Sequence, residues 1–370
     1  MRDACAVTAR LLHVSAAPFE AARRLSVLPE GHRARRLHGH SFLTRVRAEL
    51  PTGWASFPGG ETDALRDHLA RCVVALDYRD LNEYLPVPTD ENLARWVRAH
   101  LRIPGIESVG IRSTRDQGAD LDSSDQVHLW RRFRFEAAHR LPNVPADHKC
   151  GRMHGHGFEV ILHARREPGN DDMDIDRDRL GAVWAPLHRR LHHTCLNDLP
   201  GLANPTSELL SAWLWERLKP LLPALSRIGV YESASAGCHY DGRCFRIRTE
   251  QRFESALRLA RAPDGASRRR LHGHGYLVRL HLSAPLDQVM GWVMDYGDVK
   301  ARFQPVYNRL DHRLLNALPR LGDADLASLV RWLREEAAAE LPQLDRIDLQ
   351  ETPGCGVLLC WGDVGPALPS

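Results

Sequence analysis

Three histidines in the middle of the chain have the types and the spacing of a metal site. His154 and His156 are two residues apart in a His-Gly-His motif, and His139 lies fifteen residues before the first of them. Residues two apart on a β-strand project to the same face, and His139 ends a segment that can pair with this strand. Three imidazoles that converge from a sheet leave one coordination position open, which is typical of a catalytic zinc. We predict that these histidines bind Zn²⁺. The alternative is a tight turn into a strand with locally hydrogen-bonded histidines.

A cysteine precedes the same motif by four residues. Cys150 lies in the polar segment His148-Lys149-Cys150-Gly151-Arg152. Cationic neighbours lower the pKa of a thiol and favour the thiolate. We therefore predict that Cys150 is a catalytic group with a lowered pKa, in preference to a small buried side chain.

The chain contains three copies of this segment. Each copy is 22 residues long, begins with Phe-Glu and ends with His-Gly-His, and the copies cover residues 19–40, 135–156 and 253–274. They begin 116 and 118 residues apart, and such a period indicates structural repeats. We predict three units of one fold, at residues 1–122, 123–245 and 246–370.

Only the middle copy retains the complete set of candidate metal ligands. Arg23 and Leu257 replace His139 in the first and third copies, and neither copy has a cysteine in place of Cys150. Two imidazoles fall short of the three protein ligands of a catalytic zinc, and a guanidinium repels a metal cation. We therefore predict no metal site in the outer units and about one zinc per chain.

Hydrophobic periodicity predicts an α+β unit that has the order β-β-α-α-β-β. Its antiparallel sheet carries the helices on one face, and almost no linker separates the copies. Neighbouring units must therefore lie side by side and extend one another's sheets, which also covers exposed sheet edges. In the middle unit the predicted strands are 127–139, 154–165, about 226–234 and about 240–248, and the predicted helices are 178–193 and a second one opened by Pro205 and Thr206.

Composition and charge argue against several classes of protein. The 370 residues include 50 lysines and arginines and 47 acids, so the net charge is only +3, whereas nucleic-acid binders usually carry a strongly basic surface. We find no signal peptide and no apolar stretch of about 18 residues that would span a membrane. The eight cysteines form no CxxC pair and indicate reduced thiols. We expect a cytoplasmic protein that binds neither nucleic acid nor a membrane.

The middle copy resembles the 6-pyruvoyltetrahydropterin and 6-carboxytetrahydropterin synthase family of tunnelling-fold (T-fold) enzymes. The resemblance rests on the F-x-A-A-H-R-L start, the C-x3-H-G-H core, the PTSE sequence and Tyr231-Glu232-Ser233, and it spans the chain three times. The three-residue gap between the cysteine and His-Gly-His is more similar to the carboxytetrahydropterin branch of queuosine and deazapurine biosynthesis. The resemblance implies a pseudo-trimeric barrel of three T-fold units, and a homodimer that imitates the family's hexamer of two stacked rings.

The resemblance also implies roles for single residues. The family's zinc ligands and catalytic cysteine match the four residues singled out above. Its pterin-binding glutamate matches Glu232 in the second unit and Glu351 in the third, and the sequence does not choose between them. The first unit has Ser113 at this position, which argues against pterin binding there in the family's way.

The family uses an Asp-His pair, which one subunit supplies to the zinc and the cysteine of its neighbour. The pair matches Asp311 and His312 in the third unit, whereas the second unit reads His192-His193 and the first reads Asp77-Tyr78. These losses are complementary. We predict one composite site per chain, with the zinc ligands and Cys150 from the second unit and Asp311 and His312 from the third. The alternative is that His193 serves the second unit without an aspartate.

The implied reaction converts 7,8-dihydroneopterin triphosphate, or a close relative, to a 6-substituted tetrahydropterin with loss of triphosphate. This is a zinc-dependent lyase reaction at carbon–oxygen and carbon–carbon bonds. Zinc would polarise oxygens of the pterin side chain, and the thiol and an imidazole would transfer protons. Two alternatives stay open. One is an enzyme of the same fold that acts on another pterin or purine-derived substrate, and the other is a non-catalytic, zinc-stabilised scaffold or pterin-binding regulator.

Overall fold

The computed structural model describes residues 9–51, 53–166 and 177–366. The first unit consists of β1 (Arg10–Arg23), β2 (His38–Ala48), α1 (Glu61–Val73), α2 (Asp90–His100), β3 (Ile106–Thr114) and β4 (Gln117–Leu121). The second consists of β5 (Val127–His139), β6 (His154–Arg165), α3 (Arg177–Leu191), α4 (Ser207–Leu218), β7 (Leu225–Ser233) and β8 (Ala236–Tyr240). The third consists of β9 (Phe245–Leu257), β10 (His272–Ser283), α5 (Tyr296–Leu310), α6 (Leu326–Ala337), β11 (Leu344–Thr352) and β12 (Cys355–Cys360). No helix in these ranges is long and apolar enough to cross a membrane.

The long strands form one closed antiparallel barrel. Within each unit the first strand pairs with the second, the second with the third, and the third with the fourth. The last strand of each unit pairs with the first strand of the next, so that β4 joins β5, β8 joins β9, and β12 joins β1. The predicted pseudo-trimeric barrel of α+β T-fold units is confirmed. Its closure pairs strand edges that three separate units would leave exposed.

The closing strands of the second unit differ from the prediction. The sequence predicted strands at about 226–234 and 240–248, whereas β7 and β8 form a tight hairpin that ends at Tyr240. From Phe245 onward the chain belongs to β9, the first strand of the third unit. The predicted strand 240–248 was wrong because alternating apolar residues continue across the junction and local periodicity does not mark where one strand ends.

Each unit has an apolar core between its sheet and its helices. In the second unit Phe135 of β5 stacks on Phe158 of β6 with ring centroids 4.9 Å apart, and Trp184 of α3 packs against Phe135 at 6.2 Å. Because side chains alternate along a strand, the residues between these positions face away from the helices. The helices therefore lie on the outer face of the barrel, and the opposite face lines its interior.

Candidate active site

Three predicted ligands converge where β5 ends and β6 begins. His139 and His154 are direct partners in the antiparallel register, and His156 follows on the same face of β6. The ring centroids of the three pairs lie 4.5, 5.2 and 5.0 Å apart, and one nitrogen from each ring falls within 4.8 Å of the others. In the described parts of the chain no other group of three histidines converges in this way.

A carbonyl group fixes the orientation of each of these imidazoles. His139 Nδ1 lies 3.0 Å from the carbonyl oxygen of Pro205, and His154 Nδ1 lies 2.8 Å from that of Arg152. The ring of His156 hydrogen-bonds to the carbonyl of Glu232. Each ring therefore donates one N–H to the backbone and keeps a lone pair on its other nitrogen. Histidines that bind metals are generally oriented by outer hydrogen bonds of this kind.

The nitrogen of His139 that faces the cluster supports a metal site most directly. Nε2 of His139 is buried and has no hydrogen-bond partner, although a buried polar atom normally has one. Burial, followed by the neighbouring His154 and His156, lowers the pKa of His139 to about 4, so the ring is neutral at pH 7. A neutral imidazole with an unused lone pair is a metal ligand, and three of them fit Zn²⁺.

Cys150 precedes His154 by four residues and lies on a short turn of 3-10 helix, where it is half-buried. Burial raises the pKa of its thiol, the carboxylates of Asp295 and Glu232 raise it further, and Lys149 opposes them. The prediction of a lowered pKa was therefore wrong. The sequence shows the cationic neighbours, but the burial and the two carboxylates come from segments that only the fold brings to the thiol.

Glu232 of β7 is the predicted pterin ligand that shares this site. Its carboxylate accepts hydrogen bonds from the hydroxyl and the backbone N–H of Ser207, the first residue of α4. Burial, with a smaller contribution from Asp295, raises the pKa of Glu232 to about 7. The second unit therefore brings together Cys150, Glu232 and the three histidines.

The third unit covers this site with residues 289–296, the segment that leads into α5. Four side chains at or near the start of α4, and Asn143 in the loop after β5, hold the segment by hydrogen bonds, so the site lies at the boundary between two units. The contacts are Asn143 Nδ2 to Val289 O at 2.7 Å, Asn204 Nδ2 to Met290 O at 2.7 Å, Thr206 Oγ1 to Gly291 O at 2.7 Å, Val293 N to Glu208 Oε1 at 2.9 Å and Ser207 Oγ to Tyr296 OH at 2.8 Å.

This segment also brings Asp295 to the cysteine loop. His148 Nδ1 accepts a hydrogen bond from the backbone N–H of Cys150 at 3.2 Å, so its proton is on Nε2, which lies 3.5 Å from Asp295 Oδ2. Sequence reasoning missed both His148 and Asp295. An aspartate before a helical pattern signals an N-cap, and Asp295 does cap α5. Its place beside Cys150 depends on how two units pack.

Replacing Asp295 with asparagine should lower the pKa of the Cys150 thiol. The change removes a negative charge that disfavours the thiolate, and asparagine still caps a helix. We expect the pH profile of Cys150 alkylation by iodoacetamide, followed by mass spectrometry of the intact protein, to shift to lower pH. Asp298→Asn, in the first turn of the same helix, is the control and should leave the profile unchanged. An unshifted profile in Asp295→Asn would show that its carboxylate does not act on the thiol.

Within one chain, Asp311 and His312 lie apart from the histidine cluster. His312 Nδ1 is 2.9 Å from Asp311 Oδ2, and the backbone N–H of His312 donates to the carbonyl of Glu254 in β9. Strands β7 and β8 separate β9 from β6, which corresponds to about 14 Å across the sheet. The His312 side chain is 76% exposed. The imidazole of this pair therefore faces solvent.

His193 occupies the equivalent position in the second unit. Its backbone N–H donates to the carbonyl of Glu136, and Nε2 lies 3.2 Å from the carboxylate of the same residue. Both His193 and His312 have positive φ, at 59° and 54°, and so does Tyr78 at the equivalent position of the first unit, at 54°. This uncommon backbone conformation therefore belongs to the turn in all three units. The His193 side chain is 70% exposed.

Comparison with known proteins identifies the family. The family model of 6-pyruvoyl tetrahydropterin synthase matches this chain three times, at residues 13–121, 128–243 and 246–359. The chain belongs to the 6-pyruvoyl tetrahydropterin synthase family. A 6-carboxy-5,6,7,8-tetrahydropterin synthase of Synechocystis sp. is 35% identical over 119 residues, which cover 30% of this chain and 91% of the relative.

Two solved structures illustrate the same similarity. The 6-pyruvoyl tetrahydropterin synthase of Caenorhabditis elegans is 20% identical, and the match covers 32% of this chain and 95% of that one with a TM-score of 0.29. The enzyme of Plasmodium falciparum is 18% identical, and the match covers 32% and 98% with a TM-score of 0.27. The assignment rests on the family match.

In this three-unit member of the synthase family, a buried ion pair fills the histidine position of the first unit. Arg23 Nη1 lies 2.7 Å from Asp90 Oδ1 and donates to the carbonyl of Pro88 at 2.9 Å. Ser113 donates to the other oxygen of Asp90 at 2.7 Å. Both charged side chains are essentially inaccessible to solvent. The guanidinium therefore occupies the place that an imidazole takes in the second unit.

In the third unit a different arginine occupies the position that Cys150 has in the second unit. Arg268, which replaces Cys150, donates to both carboxylate oxygens of Glu351 and to both of Asp63 in α1 of the first unit. Its Nη1 also lies 3.1 Å from His274 Nε2. Glu351 is thus engaged by an arginine of its own unit, whereas Glu232 lies beside Cys150 and the histidine cluster. These contacts favour Glu232 as the pterin ligand.

Proposed function

We propose that this protein is a zinc-dependent enzyme of the 6-carboxytetrahydropterin synthase type. Its substrate is 7,8-dihydroneopterin triphosphate or a close relative, and its product is a 6-substituted tetrahydropterin. The observation that carries the proposal is the convergence of three histidines, a cysteine and a buried glutamate at one unit boundary. The name of the Synechocystis relative supports the carboxytetrahydropterin branch.

The histidine cluster would hold the zinc ion, through His139 Nε2 and one ring nitrogen each of His154 and His156. A zinc ion bound there supplies Lewis-acid activation of oxygens on the pterin side chain. Cys150 is placed to exchange a proton with the substrate carbon. Burial and the carboxylates of Asp295 and Glu232 raise the pKa of this thiol. The Asp295–His148 contact holds the loop that carries Cys150.

Glu232 would bind the guanidine-like edge of the pterin. A carboxylate accepts paired, charge-assisted hydrogen bonds from such an edge, and the hydrogen bonds from Ser207 hold its orientation. With its pKa raised to about 7, the free site holds this carboxyl partly protonated at neutral pH. Donors on the pterin would favour the ionised form.

Glu232→Gln should raise KM for the pterin substrate by about 10- to 100-fold, because hydrogen bonds to a charged group contribute about 1.5–3 kcal/mol. Steady-state kinetics with the purified protein measure the effect. Glu351→Gln is the matched control, since Arg268 already engages that carboxylate, and it should leave KM unchanged. If KM rose only in Glu351→Gln, the pterin-binding glutamate would instead be the one in the third unit.

The assembly that we propose is a homodimer that imitates a hexamer. One chain already closes a ring of three units, so two rings stacked about a two-fold axis use the commonest symmetry of soluble oligomers. The exposed Asp311-His312 pair of one chain would then reach Cys150 of the other. We propose the cytoplasm as the location, on the evidence of the cysteine pattern alone.

Incubation with 7,8-dihydroneopterin triphosphate, followed by mass spectrometry of the products, tests the proposed reaction. A tetrahydropterin product that Cys150→Ala fails to form supports it. Unchanged substrate with zinc bound to the protein would instead favour a non-catalytic scaffold or regulator, which the loss of the aspartate at His192 also supports. Turnover of another pterin or purine-derived compound alone would point to a different substrate for the same site.

A further inference from the structure

The boundary between the third and the first unit encloses one guanidinium group. Arg268 lies on a short turn of 3-10 helix, Ser267–Arg269, that precedes β10, and its side chain is only 16% exposed. Glu351 of β11 and His274 of β10 contact it from the third unit, and Asp63 of α1 contacts it from the first. Side chains from three elements and two units therefore surround the guanidinium.

The five N–H donors of this guanidinium all have an acceptor. Nε and Nη2 donate to the two carboxylate oxygens of Asp63, each at 2.7 Å. Nη1 and Nη2 donate to the two carboxylate oxygens of Glu351, and Nη1 also lies 3.1 Å from His274 Nε2. Because a guanidinium has no acceptor atom, His274 Nε2 accepts this hydrogen bond. The acceptors therefore match a planar group with donors along all its edges.

Arg268 stands at the position that Cys150 has in the second unit. Burial, Asp295 and Glu232 raise the pKa of the Cys150 thiol, so the residue at this position interacts with the glutamate of its own unit. An arginine is several atoms longer than a cysteine, and Arg268 reaches Glu351 directly. The guanidinium of the third unit thus takes the place beside the glutamate that the short cysteine of the second unit leaves to the proposed pterin.

Asp63 supplies a second carboxylate to this place. It stands fourteen residues before Asp77, and Gly297 stands at the same distance before Asp311. The first-unit helix at the third-unit site therefore carries an aspartate where the third-unit helix at the second-unit site carries a glycine. Two carboxylates attract a cation more strongly than one, so Asp63 makes this boundary better suited to a charged guanidinium.

We propose that the boundary between the third and the first unit is a binding site for a planar guanidine group, and that Arg268 occupies it as an internal ligand. Asp63 and Glu351 recognise such a group by charge-assisted, bidentate hydrogen bonds. In the wild-type chain Arg268 keeps other molecules out. A free guanidinium cation and the guanidine-like edge of a pterin share the recognised chemistry. The pterin edge enters only through the proposed function, whereas the set of acceptors does not depend on it.

Arg268→Ala should open this site to methylguanidinium chloride, and thermal unfolding of the purified protein measures the effect. The variant should unfold at a lower temperature than the wild type, because two carboxylates then repel each other without a cation between them. A ligand that binds the folded chain raises the unfolding midpoint, so methylguanidinium should raise it saturably, beyond an equal concentration of sodium chloride. Methylammonium, which lacks the planar fork, should bind at least about tenfold more weakly.

Three further proteins serve as controls. The wild type and Arg270→Ala, which changes the exposed arginine at the end of the same turn, should respond to methylguanidinium no more than to sodium chloride. The double variant Arg268→Ala/Glu351→Gln should bind the probe at least about tenfold more weakly than Arg268→Ala. Because the readout is stability, failure of the proposed pterin reaction would not alter these results. Arg268→Ala/Asp63→Asn removes the repulsion and provides the same test if Arg268→Ala does not fold.

Unsubstituted pterin distinguishes the two sources of a guanidine group. Additional pterin binding by Arg268→Ala relative to the wild type, measured by isothermal titration calorimetry, identifies a site that admits the heterocycle. A response to methylguanidinium alone identifies a site for the free cation, and both results support the proposal. It is overturned if methylguanidinium stabilises neither Arg268→Ala nor Arg268→Ala/Asp63→Asn beyond sodium chloride. It is also overturned if methylammonium stabilises them equally, because Arg268 would then only balance charge.

Discussion

His139→Ala is expected to reduce the zinc content of the purified protein from about one ion per chain to nearly none, and to abolish turnover. A catalytic zinc needs three protein ligands, and the buried Nε2 of His139 is the ligand atom that neither outer unit possesses. Metal analysis of the purified protein by inductively coupled plasma mass spectrometry measures the content. The loss of activity should parallel the loss of metal, because zinc supplies the polarisation of the substrate oxygens.

His38→Ala in the first unit and His272→Ala in the third are matched controls, since both change the first histidine of a His-Gly-His motif. Zinc content should be unaltered in both, because Arg23 and Leu257 replace the third ligand in those units. Two or three zinc ions per wild-type chain would contradict this assignment. It would mean that the Arg23–Asp90 ion pair or the Arg268 contacts give way to a metal.

The fold could be predicted because its signals are local and are repeated three times. The alternation of Phe158, Val160 and Leu162 gives the inner and outer faces of a strand, and the repeat then applies the same order to the whole chain. The absence of a linker predicts that neighbouring units extend one another's sheets, whereas closure into a barrel was implied by the family resemblance. The error at 240–248 arose where two strands follow each other across four residues.

The active site was predictable only as far as neighbouring strands determine it. The histidine cluster depends on the pairing of β5 and β6, which are consecutive in the chain, and the sequence was sufficient for it. Asp295 reaches the loop of Cys150 from another unit, so neither its contact with His148 nor the raised pKa of the thiol could be derived from local spacing. The engagement of Glu351 by Arg268 likewise depends on side-chain directions that the repeat alignment does not contain.

His312→Ala is expected to lower turnover by about 10²- to 10⁴-fold, the usual cost of losing a positioned acid-base group, with zinc content unchanged. His193→Ala should cost much less, because its unit has His192 in place of the aspartate that orients the imidazole in the third unit. Steady-state kinetics and metal analysis of the two variants test this difference. Full activity in His312→Ala together with an inactive His193→Ala would assign the acid-base role to the second unit.

Mixing two inactive variants would reveal whether the pair acts across the proposed dimer. In a mixed dimer of Cys150→Ala and His312→Ala, one site combines both defects, and the other combines an intact cysteine with an intact Asp311-His312 pair. Random co-assembly gives mixed particles in half of the dimers, so about a quarter of wild-type activity should return. If the pair serves its own chain, every site keeps one defect and the mixture stays inactive. Light scattering of the wild-type protein provides the companion measurement, because a stable monomer would leave no second chain to supply His312.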